Sequence, residues 1–187
     1  MDRIILASAS PRRKQLLEWA EVLFDIIPSD SEELIPDNLL FSEIPIFLAS
    51  QKASIVRTKT GNDKIILAAD TIVVLKNQLL GKPLDRADAI RMLSLLSGSV
   101  HEVITGVVLM SAKREIRFTE TTKVRFHDLT QAGIEHYVDT YRPFDKAGAY
   151  AIQEWIGVTG IHSIEGDFYN VMGLPVSRVL HELMSMY

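Results

Sequence analysis

The sequence predicts an α/β fold in which helices flank a mixed sheet. Short runs of Ile, Leu and Val alternate with segments of helical period, which is the pattern of βα units. Two longer strand-like segments are joined by a short polar turn as an antiparallel hairpin, so the sheet is not purely parallel. At 187 residues with 47% hydrophobic content, the chain can bury most of its apolar surface in one core. A single domain over 1–187 is therefore expected, with room for two lobes.

Residues 3–7 form a short apolar strand, and Ser10 and Pro11 behind it are the N-cap and first residue of a helix running to about Ala20. That helix is expected to bury Leu16, Leu17 and Trp19, and 22–27 to return as a strand. A polar loop over 29–38 carries Glu32 and Glu33. A longer helix starts at Ser42 or Pro45 and runs to roughly Thr58, with Ile46, Ala49, Ala53 and Val56 on one face, before Gly61-Asn62-Asp63 stops it. Residues 64–75 hold two apolar stretches, 65–69 and 72–75, interrupted by Asp70-Thr71. Lys76-Asn77-Gln78 is a turn, 79–83 a short loop, and 85–96 an amphipathic helix ended by Ser97-Gly98. The hairpin strands are 101–111 and 115–126, around Ala112-Lys113-Arg114. A helix over 129–141 closes at Pro143; the segment 145–153 leads through Gly157 and Gly160 to a strand near 161–164, and a last helix spans 174–184.

Composition narrows the function. With 20 Lys+Arg against 24 Asp+Glu the net charge is -4, which is not the basic surface that sequence-independent nucleic-acid binding uses. The absence of Cys excludes disulfides and thiolate zinc sites, and leaves oxygen or imidazole ligands for a metal, so hard cations such as magnesium or manganese fit best. The apolar run at 4–7 is too short for a signal peptide or a membrane span, so the expectation is a soluble cytoplasmic protein.

Four constellations carry chemistry. In Ser8-Ala9-Ser10-Pro11-Arg12-Arg13-Lys14, two hydroxyls, the free amides of a helix start and three cations follow a strand, which makes an anion site. The plain alternative is a capped helix with solvated cations. Asp70-Thr71 puts a carboxylate inside an apolar strand, where it requires a metal, a cation or a working role. Its plain alternative is a strand-end turn or an ion pair with a nearby Lys. Glu33, Lys52 and Lys82 are weak signals singly, although Gly81 and Pro83 order the backbone around Lys82. In the stretch from Asp145 to Gln153, Gly148 permits close approach to a ligand and Gln153 offers both donor and acceptor, against the alternative of a tight turn. His101, His127, His136 and His162 have no metal-ligand spacing and are read as structural or exposed.

Taken in order, Ser-Ala-Ser-Pro-Arg-Arg from Ser8, Ala-Ala-Asp-Thr-Ile-Val from Ala68, Leu-Gly-Lys-Pro from Leu80, His-Glu-Val-Ile-Thr-Gly-Val from His101 and Asp-Lys-Ala-Gly-Ala-Tyr-Ala-Ile-Gln from Asp145 resemble the Maf family of nucleoside triphosphate pyrophosphatases. Gly-Asp-Phe-Tyr-Asn-Val-Met-Gly-Leu-Pro from Gly166 extends the likeness to the last helix. The resemblance implies an elongated mixed sheet flanked by helices, two lobes with a central cleft as in inosine triphosphate pyrophosphatases, and a homodimer. It assigns Ser8, Arg12, Arg13 and Lys14 to the phosphate motif and matches Glu33, Lys52, Asp70 and Lys82 to polar positions of the cleft, with Asp70 as proton acceptor. Arg12, Thr71 and Gln153 match the branch that acts on dTTP and UTP rather than the branch that acts on 7-methyl-GTP. One departure is that Glu154-Trp155-Ile156 stand between Gln153 and Gly157, where the family commonly has a Gly sooner.

The mechanism so implied is hydrolysis to the monophosphate and pyrophosphate, with Mg2+ or Mn2+ held by Asp70, Glu33 and the triphosphate while water attacks the α-phosphorus. Arg13, Lys52 and Lys82 offset charge on the phosphates, and Thr71 and Gln153 pair with the pyrimidine edge. This reading requires Asp70 and the Arg-bearing helix start to open into one crevice. The partner is a nucleoside triphosphate, with no nucleic acid and no membrane. A non-catalytic nucleotide-binding regulator of cell division, or a pyrophosphatase for other nucleotides, are the alternatives.

Overall fold

The computed structural model describes all residues except 1, 30–34, 37 and 62. Along the chain run β1 (Ile4–Leu6), α1 (Pro11–Trp19), β2 (Phe24–Ile26), α2 (Ile44–Thr60), β3 (Ile66–Leu75), β4 (Gln78–Leu80), α3 (Arg86–Leu96), β5 (Val100–Met110) and β6 (Glu115–Phe126). Then come α4 (Gln131–Tyr141), a 3-10 turn at Ala147–Ala149, α5 (Trp155–Gly160), β7 (Ile161–Glu165), α6 (Phe168–Met172) and α7 (Val176–Met184). The strands hydrogen-bond in the order β2-β1-β3-β5-β6-β7, with β4 added to β3. β1 is parallel to both β2 and β3, whereas β3–β4 and β6–β7 are antiparallel, so the sheet is mixed. No helix among the described residues is long and apolar enough to cross a membrane.

The chain groups into two compact units, one made of Met1–Thr71, Thr105–Glu120 and Gly173–Tyr187, the other of Ile72–Ile104 and Thr121–Met172. In the first, alternation along β1 and β3 sends Ile5, Ala7, Ile66 and Ala68 into one core cluster with Ala49, Ala53 and Val56 of α2. The small side chains Ala49 and Ala53 let α2 lie close on the strands. Gly106 of β5 serves the same contact: a Cβ there would sit 2.3 Å from the backbone N of Ile46, so only glycine admits the start of α2. That close packing sets where Lys52, further along α2, meets the sheet. Arg57 near its end donates to the Met110 carbonyl, and Gly61 stops the helix with a φ of +72°.

In the second unit, Lys76 and Asn77 both have positive φ between the paired residues Leu75 and Gln78, which is a two-residue hairpin turn. Asp85 and Thr130 cap α3 and α4 through their side chains. Behind β6 lies an aromatic group: the buried imidazole of His101 stacks on Phe126 at 5.6 Å, and its Nε2 is 2.7 Å from the Tyr150 hydroxyl. Phe126 and Tyr150 meet edge to face at 5.1 Å.

Several local expectations change. Trp19 is 59% exposed, because α1 ends at that residue and the chain turns at once through Glu21, whose φ is positive. Ile46 is only half-buried; Ile44, Pro45 and Leu48 take the inner face of α2 in its place. Residues 78–80 are strand rather than loop, since the tight turn brings them back onto β3. The two glycines before β7 lie in α5, and a further short helix, α6, precedes a last helix that starts at Val176 after Pro175.

Burial pushes the His101 imidazole down from 6.5 to about 4. Between those values the unfolded chain binds a proton that the folded chain refuses. Stability is therefore highest above about pH 6.5 and falls as pH drops toward 4, by about 3 kcal/mol across the window. Urea unfolding of the native chain and of His101→Gln at pH 7.0, 5.5 and 4.5 checks this: the variant should lose much of the slope.

Candidate active site

The site grows from the carboxyl end of β1, the place where parallel strands of an α/β sheet present ligands. Ala7 still bonds to Leu67 of β3 at 2.8 Å, so Ser8 leaves the strand beside the Ala69–Asp70 step. Ser10 then caps α1, its hydroxyl accepting from the Arg13 amide at 3.5 Å, with Pro11 at the first helical position as expected. This capping uses amides that the sequence reading left free. Pro11 has no N–H, the Arg13 amide goes to Ser10 Oγ, and the Lys14 amide goes to the Ser10 carbonyl at 3.2 Å.

The two arginines differ. Arg12 is half-buried, whereas Arg13 is buried and its fork is spread over three neutral oxygens. Nε donates to the Gly173 carbonyl at 2.8 Å, Nη1 to Ser8 Oγ at 3.2 Å and Nη2 to Thr71 Oγ1 at 3.0 Å. Thr71 in turn lies 2.9 Å from the hydroxyl of Thr105, which is fully buried. Lys14 is exposed and turned to Glu18 one helical turn on, at 3.5 Å, and does not join this group.

Asp70 is buried and pairs with Lys52 of α2 through a short salt bridge, with about one-tenth of each side chain exposed. Asp70 thus has the cation that a carboxylate inside an apolar strand requires. Asp70 has the parity of Ile66 and Ala68, which pack toward α2; Thr71 has the opposite parity and meets Arg13. Arg13 and Lys52 reach β3 at adjacent residues, Thr71 and Asp70, whose side chains alternate across the strand. The Thr71 hydroxyl, expected at a pyrimidine edge, meets Arg13 and Thr105.

In the other unit, Lys82 is exposed, and the Gly81 carbonyl next to it accepts from the Gly148 amide at 3.0 Å. Gly148 has a φ of +69° and lies against Val73, where a Cβ would come within 3.1 Å of the side chain. Ala149 follows at φ +60°, a strained value for a residue with a Cβ. Gln153 is exposed at the turn before α5. Of the three residues that depart from the family's spacing, Glu154 has a clear local role. Glu154 accepts from the Tyr137 hydroxyl and pairs with the buried Lys146 at 3.5 Å, and Gly157 lets α5 fold onto the Ile152 carbonyl, 1.8 Å from where a Cβ would sit. Sequence reasoning missed Thr105, Gly173, Lys146 and Glu154 as site-shaping residues. The first three stood inside quoted motifs, which was the available signal.

No group of three or more His, Cys, Asp or Glu is placed to hold a metal among the described residues. Glu33, the second expected ligand, lies outside the described residues. The Asp70 carboxylate suits a hard cation of the magnesium type, which takes one or two carboxylates and completes its shell with substrate phosphates and water.

Against this geometry, comparison with known sequences decides the family: the model of the Maf-like proteins matches residues 3–186. The chain belongs to the Maf family. It is 50% identical over 184 residues to a dTTP/UTP pyrophosphatase of Cytophaga hutchinsonii, covering 98% of this chain and 84% of that protein. Proteins of the same name from Bacteroides fragilis and Bacillus cytotoxicus are 45% and 48% identical, each over 98% of this chain and over 96% and 95% of their own lengths. A solved dITP/XTP pyrophosphatase of Mycobacterium abscessus is 15% identical over 67% of this chain and 73% of its own, with a TM-score of 0.40, too slight a likeness to carry an argument. In this Maf-family chain the motif residues Ser8, Arg13, Lys52, Asp70 and Thr71 meet around one step of β3.

Removing one partner of a buried ion pair strands the other charge. Lys52→Met should therefore lower stability to urea by about 3 kcal/mol. Adding Asp70→Asn should recover part of that loss.

Proposed function

We propose that this chain hydrolyses nucleoside triphosphates, dTTP and UTP foremost, to the nucleoside monophosphate and pyrophosphate. The observation that carries the reading is near-full-length similarity at 45–50% identity to proteins named dTTP/UTP pyrophosphatase. The presence here of Arg12, Thr71 and Gln153 supports the same branch. The chemistry is attack of water on the α-phosphorus with pyrophosphate as leaving group. Asp70 takes the proton of that water or orients it, and Lys52, which holds the carboxylate, shares its charge with the phosphates as they arrive. Ser8 and Arg12 stand at the strand end to receive phosphate oxygens, and Lys82 adds a cation. Asp70, with Glu33, would hold Mg2+ or Mn2+, which when bound offsets the charge on the triphosphate. The Gln153 amide offers both a donor and an acceptor to the imide edge of thymine or uracil. Nucleotide substrates accord with a cytoplasmic protein, and the family resemblance with a homodimer.

Asp70→Asn should reduce kcat for pyrophosphate release by about 10²–10⁴ while the protein stays folded. Near-native turnover in that variant would remove Asp70 from the reaction.

A panel of dTTP, UTP, CTP and 7-methyl-GTP, with and without Mg2+ or Mn2+, tests the substrate class. The two imide-bearing nucleotides should be hydrolysed at least tenfold better than the others, a margin that one lost pair of buried hydrogen bonds supplies. Preference for 7-methyl-GTP overturns the branch, and binding without hydrolysis overturns the enzyme.

A further inference from the structure

A serine hydroxyl has two acceptor lone pairs and one proton to donate. At Ser8 both acceptor positions are taken, by the main-chain N–H of Ser10 at 3.2 Å and by Nη1 of Arg13 at 3.2 Å. Neither partner can accept a proton in return, because an amide N–H and a guanidinium only donate. The rotor of the Ser8 hydroxyl is thereby fixed, and its proton, which has no acceptor among the described residues, is left to be given to some other oxygen. Ser8 is 7% exposed, so only a small part of it reaches solvent, just past the end of β1.

We infer that Arg13 is a positioning residue: it locks the Ser8 hydroxyl as a hydrogen-bond donor to a phosphate oxygen of the triphosphate, and Ser8, not Arg13, makes the contact. This rests on the proposed reading of the β1–α1 turn as the phosphate site. The remaining arms of Arg13 are what make it rigid enough for the task. Nε is held by the Gly173 carbonyl at 2.8 Å, and Gly173 has a φ of +114°, a backbone conformation that residues with a Cβ rarely adopt. Nη2 is held by Thr71 Oγ1 at 3.0 Å, and the fully buried Thr105 braces Thr71 from β5 at 2.9 Å. Three segments distant in sequence thus aim one planar fork at Ser8. A lysine carries the same charge but has no fixed fork that reaches three acceptors in different directions.

The test is a double-mutant cycle on the full chain, read by calorimetric binding of inorganic triphosphate, with pyrophosphate release from dTTP measured in parallel. Ser8→Ala should weaken triphosphate binding about tenfold, the effect of one donor to a charged oxygen. Arg13→Lys should weaken it comparably, and the double variant by no more than about twofold beyond Ser8→Ala, because the two residues act as one unit. Effects that multiply, to about a hundredfold in the double variant, overturn the inference and put Arg13 on the phosphate itself. Unchanged affinity in Ser8→Ala also overturns it, as does an Arg13→Lys variant that loses thermal stability while keeping native triphosphate affinity. If Arg13→Lys does not fold, Thr71→Val, which removes one arm of the support, takes its place in the same cycle with the same two outcomes. Native protein that binds triphosphate with the coupled pattern yet leaves dTTP intact refutes the proposed reaction and keeps the role of Arg13. Hydrolysis with multiplying effects does the reverse.

Discussion

The structure depends on how β3 accommodates two polar residues in a dry strand. Asp70 and Thr71 sit between apolar stretches, and alternation forces their side chains to opposite faces, so neither can satisfy the other. A buried carboxylate and a half-buried hydroxyl each require a partner from outside the strand. Lys52 of α2 answers the first and Arg13 of α1 the second. Both partners reach β3 only because their helices are seated closely: α2 by Ala49, Ala53 and the bare backbone of Gly106, and α1 by its serine cap directly after β1. Backbone packing and the polar cluster are consequently one constraint seen at two scales.

This arrangement divides labour among the cations. Arg13 is buried and spread over neutral oxygens, a use suited to a planar fork, whereas Lys52 supplies a point charge to Asp70. Lys14, exposed and turned to Glu18, belongs to the surface of α1. The run Arg12-Arg13-Lys14 therefore separates into a half-buried, a buried and an exposed cation, set by helical periodicity and by which face of α1 meets the sheet.

The other unit places its ordering cost in the backbone. Consecutive positive φ values at Gly148 and Ala149, the close approach of Gly157 to the Ile152 carbonyl, and the pairing of Glu154 with Lys146 and Tyr137 hold the segment that carries Gln153. Strain of this kind persists only where surrounding contacts impose it. Here those contacts are the Lys146–Glu154 ion pair and the Tyr137 hydroxyl, next to the exposed Gln153 in sequence.

Much of the fold was legible in the chain. Ser10-Pro11 announces the start of α1, the interrupted run around Asp70 marks a strand with a polar requirement, and the spacing of 101–126 around a polar turn announces the hairpin, because caps, turns and strand periodicity are local physics. Motif residues could be named for the same reason: their chemical types are unusual for their local setting. What no local rule supplied was partnership. That Asp70 belongs to Lys52 and Thr71 to Arg13, that Gly173 carries the carbonyl for Arg13, and that Trp19 stays in solvent all depend on which faces meet after the strands pair. Side-chain direction at a given residue follows from the sequence, but the neighbour it meets is decided by register and helix seating, which only the folded chain determines.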